Sequence, residues 1–419
     1  MKAIRSILFL LSGLSLAAAE ENYAEWAYSR DIALDTSPAG ANVAADQTGF
    51  PLLVSLTAQQ ADVFAQAKAG GADLRFATAE GRHLPYQIEL WDAAGGKAAI
   101  WVKADTVKGG SSSQHLRLYW GKAAAADSSN GKAVFPTAGG YLGVWHLGAG
   151  LEDATANGFD GMDSGATAAP EGRIGGGRYF NNPDAYAATG KYIALRNPGG
   201  VNLAGRITLE AWVKWTRRDG HRIILCHGAA PGSDFETVLR IGETKDYRSG
   251  VWTGSSHYAT LAAPAADSNA WVHLAGAYSG SAWILYRNGA KVSELADTNG
   301  AKPSPGAWRI GAEYASNAVT RYFCGWLDEV RVSNVARNAD WIKLTYENQK
   351  DGQSLIRIGP TMAVALGRKP SRSATRAGDA SILSRGEKVF RLAPESGHGV
   401  TASGSRRSLR ATPGGNARD

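Results

Sequence analysis

The chain has 419 residues, 44% of them hydrophobic, which suits about two or three globular domains. Its formal net charge of +7 is unevenly placed: Lys2 and Arg5 stand unopposed in residues 1–19, residues 351–419 carry 12 basic side chains against 5 acidic ones, and residues 20–350 are left at −2. A slightly acidic body removes the usual inference from a basic chain to a nucleic-acid partner.

Residues 1–19 read as a secretory signal, with a basic start, the short apolar core ILFLLSGLSLAAA and the small residues Ala17 to Ala19. That core is shorter than the about 20 apolar residues a membrane span needs. Cleavage is therefore expected, with no transmembrane segment left and a periplasmic or extracellular location. The two cysteines, Cys226 and Cys324, lie far downstream, which excludes a lipid-modified cysteine after the signal.

Residues 20–130 read as short strands between turns. PLLVSL (51–56) is a continuous apolar run, and DLRFAT (73–78) alternates. LPYQIELWD (84–92), AAIWVKADTV (98–107) and QHLRLYWG (114–121) follow, separated by Gly- and Ser-rich turns. This spacing predicts a compact β-sandwich. A helix is expected over 57–69, with Thr57 as its cap and Gly70 as its stop. The segments FPLLVSL, GGADLRFATAEGRHLPYQIELWD, AAIWVKAD and LRLYWGKA resemble a bacterial exported β-domain family of unknown function. That family often accompanies ExbB/TolQ-type proton-channel proteins. The resemblance implies export and envelope transport proteins as partners, but no activity.

Residues 131–140 are expected to be a linker, and residues 141–350 a second unit. ITLEAWVKWT (207–216) places Ile207, Leu209, Ala211, Val213 and Trp215 on one face of a strand. Asn288-Gly289 predicts a type I′ hairpin turn, and Asn338 is expected to cap a closing helix. WHLGAGLEDATANGFDG, LEAWVKW, WVHLAGAYSGSAWILYRNGAKV, WRIGAEY and GWLDEVRVSNVARNADWI occur in that order. They resemble the LamG-like branch of the concanavalin A-like lectin/glucanase superfamily, which implies a two-sheet jelly roll. The fold class expected is all-β, a sandwich followed by a jelly roll. Residues 351–419, with no Trp or Tyr and one Phe, are expected to be a disordered basic tail. This tail reads either as a surface-binding segment or as the out-of-frame end of a longer protein, cut before its channel domain.

The pair Asp328-Glu329 invites a catalytic reading. A retaining glycosidase needs two carboxyls about 5–5.5 Å apart, and the superfamily's glucanases carry theirs at alternating positions of one strand. Adjacent strand residues face opposite ways. Trp326, Asp328, Val330 and Val332 are thus expected on one side, with Leu327, Glu329 and Arg331 on a solvated other side. No zinc helix, serine elbow or nucleotide loop appears in the sequence, so a non-catalytic protein binding glycan or envelope polymer is expected. A glycan-cleaving enzyme would need carboxylates brought together from separate strands.

Asp153, Asn157 and Asp160 imitate the start of a calcium loop, although Ser164 stands where the closing Glu belongs. Many LamG-like domains hold calcium at a sandwich edge, so these three and Asp328 are candidate Ca2+ ligands, and backbone-bonded turns fit the same residues. Trp215, Trp252, His257 and Tyr258 flank loops and are candidate sugar-stacking residues, against the alternative of core packing. Cys226 and Cys324 fit either a disulfide or two buried thiols.

Overall fold

The computed structural model describes residues 21–196, 204–228 and 235–364. The expected signal, and all but the start of the expected basic tail, lie outside the described residues. The chain is all-β, with short helices between its sheets. No described helix is long and apolar enough to cross a membrane.

The first sandwich begins with β1 (Tyr28–Leu34), β2 (Gln47–Leu56), β3 (Arg75–Thr78), β4 (His83–Leu84), β5 (Tyr86–Asp92), β6 (Lys97–Val107) and β7 (Gln114–Trp120). The helical segment after β2 is a 3-10 turn, Ala58–Gln60, running into α1 (Ala61–Gln66). Thr57 and Gln60 cap it reciprocally, each side chain serving the other's backbone. The expected linker instead packs into the body. It forms α2 (Gly131–Val134), and both Val134 and Phe135 are fully buried.

The jelly roll contains β8 (Tyr141–Trp145), β9 (Gly161–Asp163), β10 (Thr167–Ala169), β11 (Gly177–Phe180), β12 (Ile193–Leu195), β13 (Ile207–Trp215) and β14 (Arg222–His227). It continues with β15 (Glu236–Ile241), β16 (Asp246–Trp252), β17 (Ser256–Ala262), β18 (Val272–Tyr278), β19 (Ala282–Arg287) and β20 (Ala290–Ala296). β21 (Trp308–Ile310), β22 (Glu313–Ala315), β23 (Ala318–Thr320), β24 (Gly325–Ser333) and α3 (Ala339–Gln349) complete it. One sheet runs β10-β11-β24-β13-β18-β19-β20, with β8 also on β24, and the facing sheet runs β17-β16-β15-β14-β21-β12-β9. All five residues expected on the inner face of β13 enter the core between them.

The tail boundary at 350 is corrected. β25 (Ile356–Ile358) and β26 (Met362–Ala363) both pair with β1, so the chain returns from the jelly roll to the first sandwich. That sandwich therefore has one sheet ordered β25-β1-β7-β3-β4, with β26 also on β1, and another ordered β2-β6-β5.

The two sandwiches are stacked. Ile100 and Val102 of β6 and the oppositely directed Trp101 are all fully buried, so both faces of that strand are covered. Trp101 stacks on His146 of the jelly roll at 5.8 Å. α3 fills the rest of the seam: Trp341 meets Phe50 edge-on, and Asn348 bonds both the N–H and the carbonyl of Leu53. One jelly-roll sheet is thereby covered, and the outer face of the other carries an open cleft.

Candidate functional site

The cleft lies over β15 and β16, beneath the β22–β23 hairpin, with a volume of about 420 Å³. Its floor follows from strand alternation. In ETVLRI, Thr237, Leu239 and Ile241 point one way and Glu236, Val238 and Arg240 the other, where Glu236 and Arg240 line the cleft and Val238 packs beneath it with Ile223, Cys226 and Tyr258. Trp252, 37% exposed at the end of β16, and Tyr314 of the hairpin supply aromatic walls. His221 lines the cleft with a buried Nδ1 that has no protein partner. Burial, then the charges of Arg240 and Arg321, pulls this imidazole down to about 4, so it is neutral at pH 7. A larger groove of about 860 Å³ runs past Leu53, Lys97 and Arg173, but no aromatic side chain lines it.

Beneath the cleft, Glu236 and Glu313 come together from separate strands, their oxygens and the Cys226 thiol all within 4.8 Å. Arg240 donates to Glu236 at 2.9 Å and lies 3.6 Å from Glu313, which also pairs with Arg321. The Tyr258 hydroxyl donates to Glu236 at 2.6 Å, with the Arg240 guanidinium 4.8 Å above its ring. Burial, then the neighbouring Glu236 charge, pushes Glu313 up to about 8. Burial would raise Glu236 as well, but Arg240 overrides it and holds this carboxyl below its usual range. The pair thus shares one proton under an arginine lid. Glu313 is wholly enclosed, so it has no direct line to a ligand.

Of the four expected aromatic contacts, Trp252 lines the cleft and Tyr258 supports it from below. Trp215 is a core residue, its indole N–H donating to Tyr247 at 2.8 Å. His257 is engaged elsewhere, 2.5 Å from Asp297 and 2.8 Å from Ser255. The disulfide is not formed: both cysteines are buried free thiols, Cys226 on β14 and Cys324 leading into β24 of the opposite sheet. Cys226 sits under the cleft, where burial raises its thiol well above the usual value.

Asp153 and Asp160 meet in the loop after β8, where Asp160 accepts the Asp153 N–H at 3.0 Å. The Asp153 carboxylate itself takes four donors: the N–H groups of Val144, Thr155 and Phe159 and the Thr155 hydroxyl. Asn157 donates to the Leu142 carbonyl. These side chains bond the loop backbone. Asp328 bonds elsewhere, accepting the N–H groups of Ile174 and Glu329 at 2.8 Å each.

The expected separation of Asp328 and Glu329 across the sheet is overturned. Opposite β13, the register slips between Glu210 and Trp212, and Glu329 takes φ of 50°. This bulge absorbs one residue. Leu327, Val330 and Val332 all enter the core, and Asp328, Glu329 and Arg331 all face the seam. Nor is that face solvated, since Glu329 is 2% exposed. It accepts from Arg331 at 2.6 Å and lies 2.6 Å from His146 Nδ1. Burial would raise Glu329, but His146 and Arg331 hold it down, whereas burial and then the Glu329 charge push both Asp328 and Glu89 well up.

The fold is a β-sandwich stacked on a two-sheet jelly roll that carries a polar, aromatic-walled cleft. A family model described as the concanavalin A-like lectin/glucanases superfamily matches residues 187–343, and one for a domain of unknown function matches residues 70–140. A search of curated proteins finds no match. Among solved structures the chain is similar to domain 4 of AbnA, a GH43 extracellular arabinanase from Geobacillus stearothermophilus, in complex with arabinotriose. They are 18% identical over 48% of this chain and 96% of that one, with a TM-score of 0.36. The binding domain of Paraclostridial Mosquitocidal Protein 1 is 13% identical over 50% of this chain and 52% of its own, at 0.39. The binding domain of Botulinum Neurotoxin DC in complex with SialylT is 9% identical over 50% and 52%, at 0.38. The chain thus spans about half the length of the latter two.

Proposed function

We propose that this chain is an exported, non-catalytic glycan-binding protein whose ligand lies in the cleft beneath the β22–β23 hairpin. The observation that carries this reading is the convergence there of Trp252 and Tyr314 with His221, whose buried Nδ1 lacks a protein partner. Sugars offer hydroxyls and apolar ring faces, and a concave site that combines oriented polar groups with aromatic walls fits both. The lectin/glucanase family match over residues 187–343 supports the same reading. Glu236 and Glu313 lie close enough to suggest hydrolysis, yet both are held by arginines, and Glu313 is sealed from the cleft. A binding surface accounts for that arrangement better than a reacting pair does.

A glycan array probed with the full chain tests the reading. Specific binding is expected, and Trp252→Ala should weaken it at least about ten-fold, the scale of a lost aromatic anchor, without shifting the melting temperature. Absence of binding to every glycan, or retention of full affinity by that variant, removes the cleft from consideration. Polysaccharide turnover lost in Glu236→Gln would convert the proposal from lectin to hydrolase.

A further inference from the structure

We propose that the groove along the open side of the first sandwich docks an extended acidic peptide, which pairs as an added strand with the free edge of β2. Pro85 alone separates β4 from β5, so the chain itself closes one side of that sandwich. On the other side the two sheets end at β2 and β25, and residues of both edges line the groove of about 860 Å³. Each edge already holds one amide side chain where a neighbouring strand would lie. Asn348 bonds the N–H and the carbonyl of Leu53. Gln353 accepts the Ile356 N–H at 2.7 Å and donates to the Ile356 carbonyl at 2.9 Å. A carboxamide carries the same donor and acceptor as a peptide bond, so both edges present the pattern that backbone answers.

Strand alternation extends these edges past the two amides. Leu53 faces outward, so Ser55, two residues on in unbroken register with β6, turns its N–H and carbonyl outward as well. Ser55 is exposed to the groove. Ile358 faces outward in the same way beyond Ile356, because Leu355 and Gly359 bond toward β1. Between the edges the floor is apolar, with Leu56, Leu90 and Ile174, and takes the alternate side chains of an extended peptide. Charge sets the kind of peptide. Lys97, Arg173, Lys350 and Arg357 line the groove against one acid, Asp351. Asp351 answers Arg173 at 2.6 Å, and Glu347 answers Lys350 at 2.6 Å. Lys97 of β6 and Arg357 of β25 are exposed and have no acidic partner among the described residues. Carboxylates on the peptide thus meet a cation from either sheet.

Panning a phage-displayed library of random linear heptapeptides on the full chain should enrich sequences rich in Asp and Glu, with β-branched residues between them. A synthetic copy of an enriched peptide, followed by fluorescence anisotropy, should bind the double variant Lys97→Glu, Arg357→Glu at least about ten-fold more weakly than wild type. Ser55→Pro removes the outward N–H and should weaken binding by at least about the same factor. β2 already carries Pro51 at an outward position, and unchanged far-ultraviolet dichroism would show that both variants fold. Failure to enrich acidic peptides, or full affinity in either folded variant, overturns the proposal. Full affinity in the double variant would assign the binding to the basic residues beyond 364 instead.

Discussion

Glu313 is the residue whose protonation most shapes the cleft. Its ordinary value is 4.5 and its value in the folded chain is about 8. Between those limits the folded chain holds a proton that the unfolded chain has lost, so stability falls as pH rises through the window, by at most about 1.4 kcal/mol per pH unit. Glu313→Gln mimics the protonated form at every pH. Melting curves at the two ends of that window should therefore show a smaller loss of stability for the variant than for wild type, and identical losses would refute the shared proton. Sequence alone could reach part of this site. Glu236 and Arg240 share the face of β15 opposite Leu239, which is visible as charge alternating with core residues. Glu313 was out of reach, because nothing local says that a residue 77 positions on folds over that strand. Trp252 and Tyr258 were legible as loop-flanking aromatics. Trp215 also flanks a loop, but alternation with Ile207 through Val213 puts it on the inner face of β13, where its indole donates to the Tyr247 hydroxyl.

At the scale of elements, local chemistry was read correctly where it is self-contained. Asn288 and Gly289 have φ of 49° and 75° and join β19 to β20 as a two-residue turn, as an Asn-Gly pair prescribes. Asn338 accepts the N–H of Trp341 at 2.7 Å and starts α3. Gly289→Ala should cost about 1 kcal/mol or more, from its positive φ and from a Cβ that would sit 3.0 Å from Cβ of Tyr346. Denaturant unfolding would measure it, and a neutral outcome would mean that the turn relaxes freely. The bulge in β24 was not legible. Alternation is a property of one strand, whereas a bulge belongs to a pair. The slip against β13 turned two acids expected on opposite faces into neighbours at a buried seam. Asn348 shows the same limit, since the backbone it meets lies 295 residues away in the chain. Its amide covers the free edge of β2, donating to the Leu53 carbonyl at 3.0 Å and accepting its N–H at 2.7 Å. Asn348→Ala should leave both backbone groups without partners and destabilise the chain by about 2–4 kcal/mol, read as a lower denaturant midpoint.

For the whole molecule, the all-β class and the order of its two units could be read in the sequence, but their stacking could not. Continuous burial along β6 has the same appearance in sequence whether one sheet or two cover it. The return of the chain to its first sandwich was hidden for a further reason, because the residues that make it are few and the composition around them is that of a basic tail. Leu355 is fully buried, and burial of such a side chain contributes about 1.5–3 kcal/mol. Its carbonyl accepts the N–H of Asp35 at 2.8 Å, Gly359 donates to the Asp31 carbonyl at 2.8 Å, and Arg30 donates to the Gly359 carbonyl at 2.8 Å. Each such bond adds about 0.5–1.5 kcal/mol net. A chain ending at Lys350 should therefore be less stable than one ending at Val364 by at least about 3 kcal/mol and expose β1 as an open edge prone to association. Denaturant midpoints and sedimentation of the two truncations would decide it. Equal stability of both would make β25 and β26 a passive covering; a deficit confined to the shorter chain would make them the strap that closes the first sandwich and holds α3 in the seam.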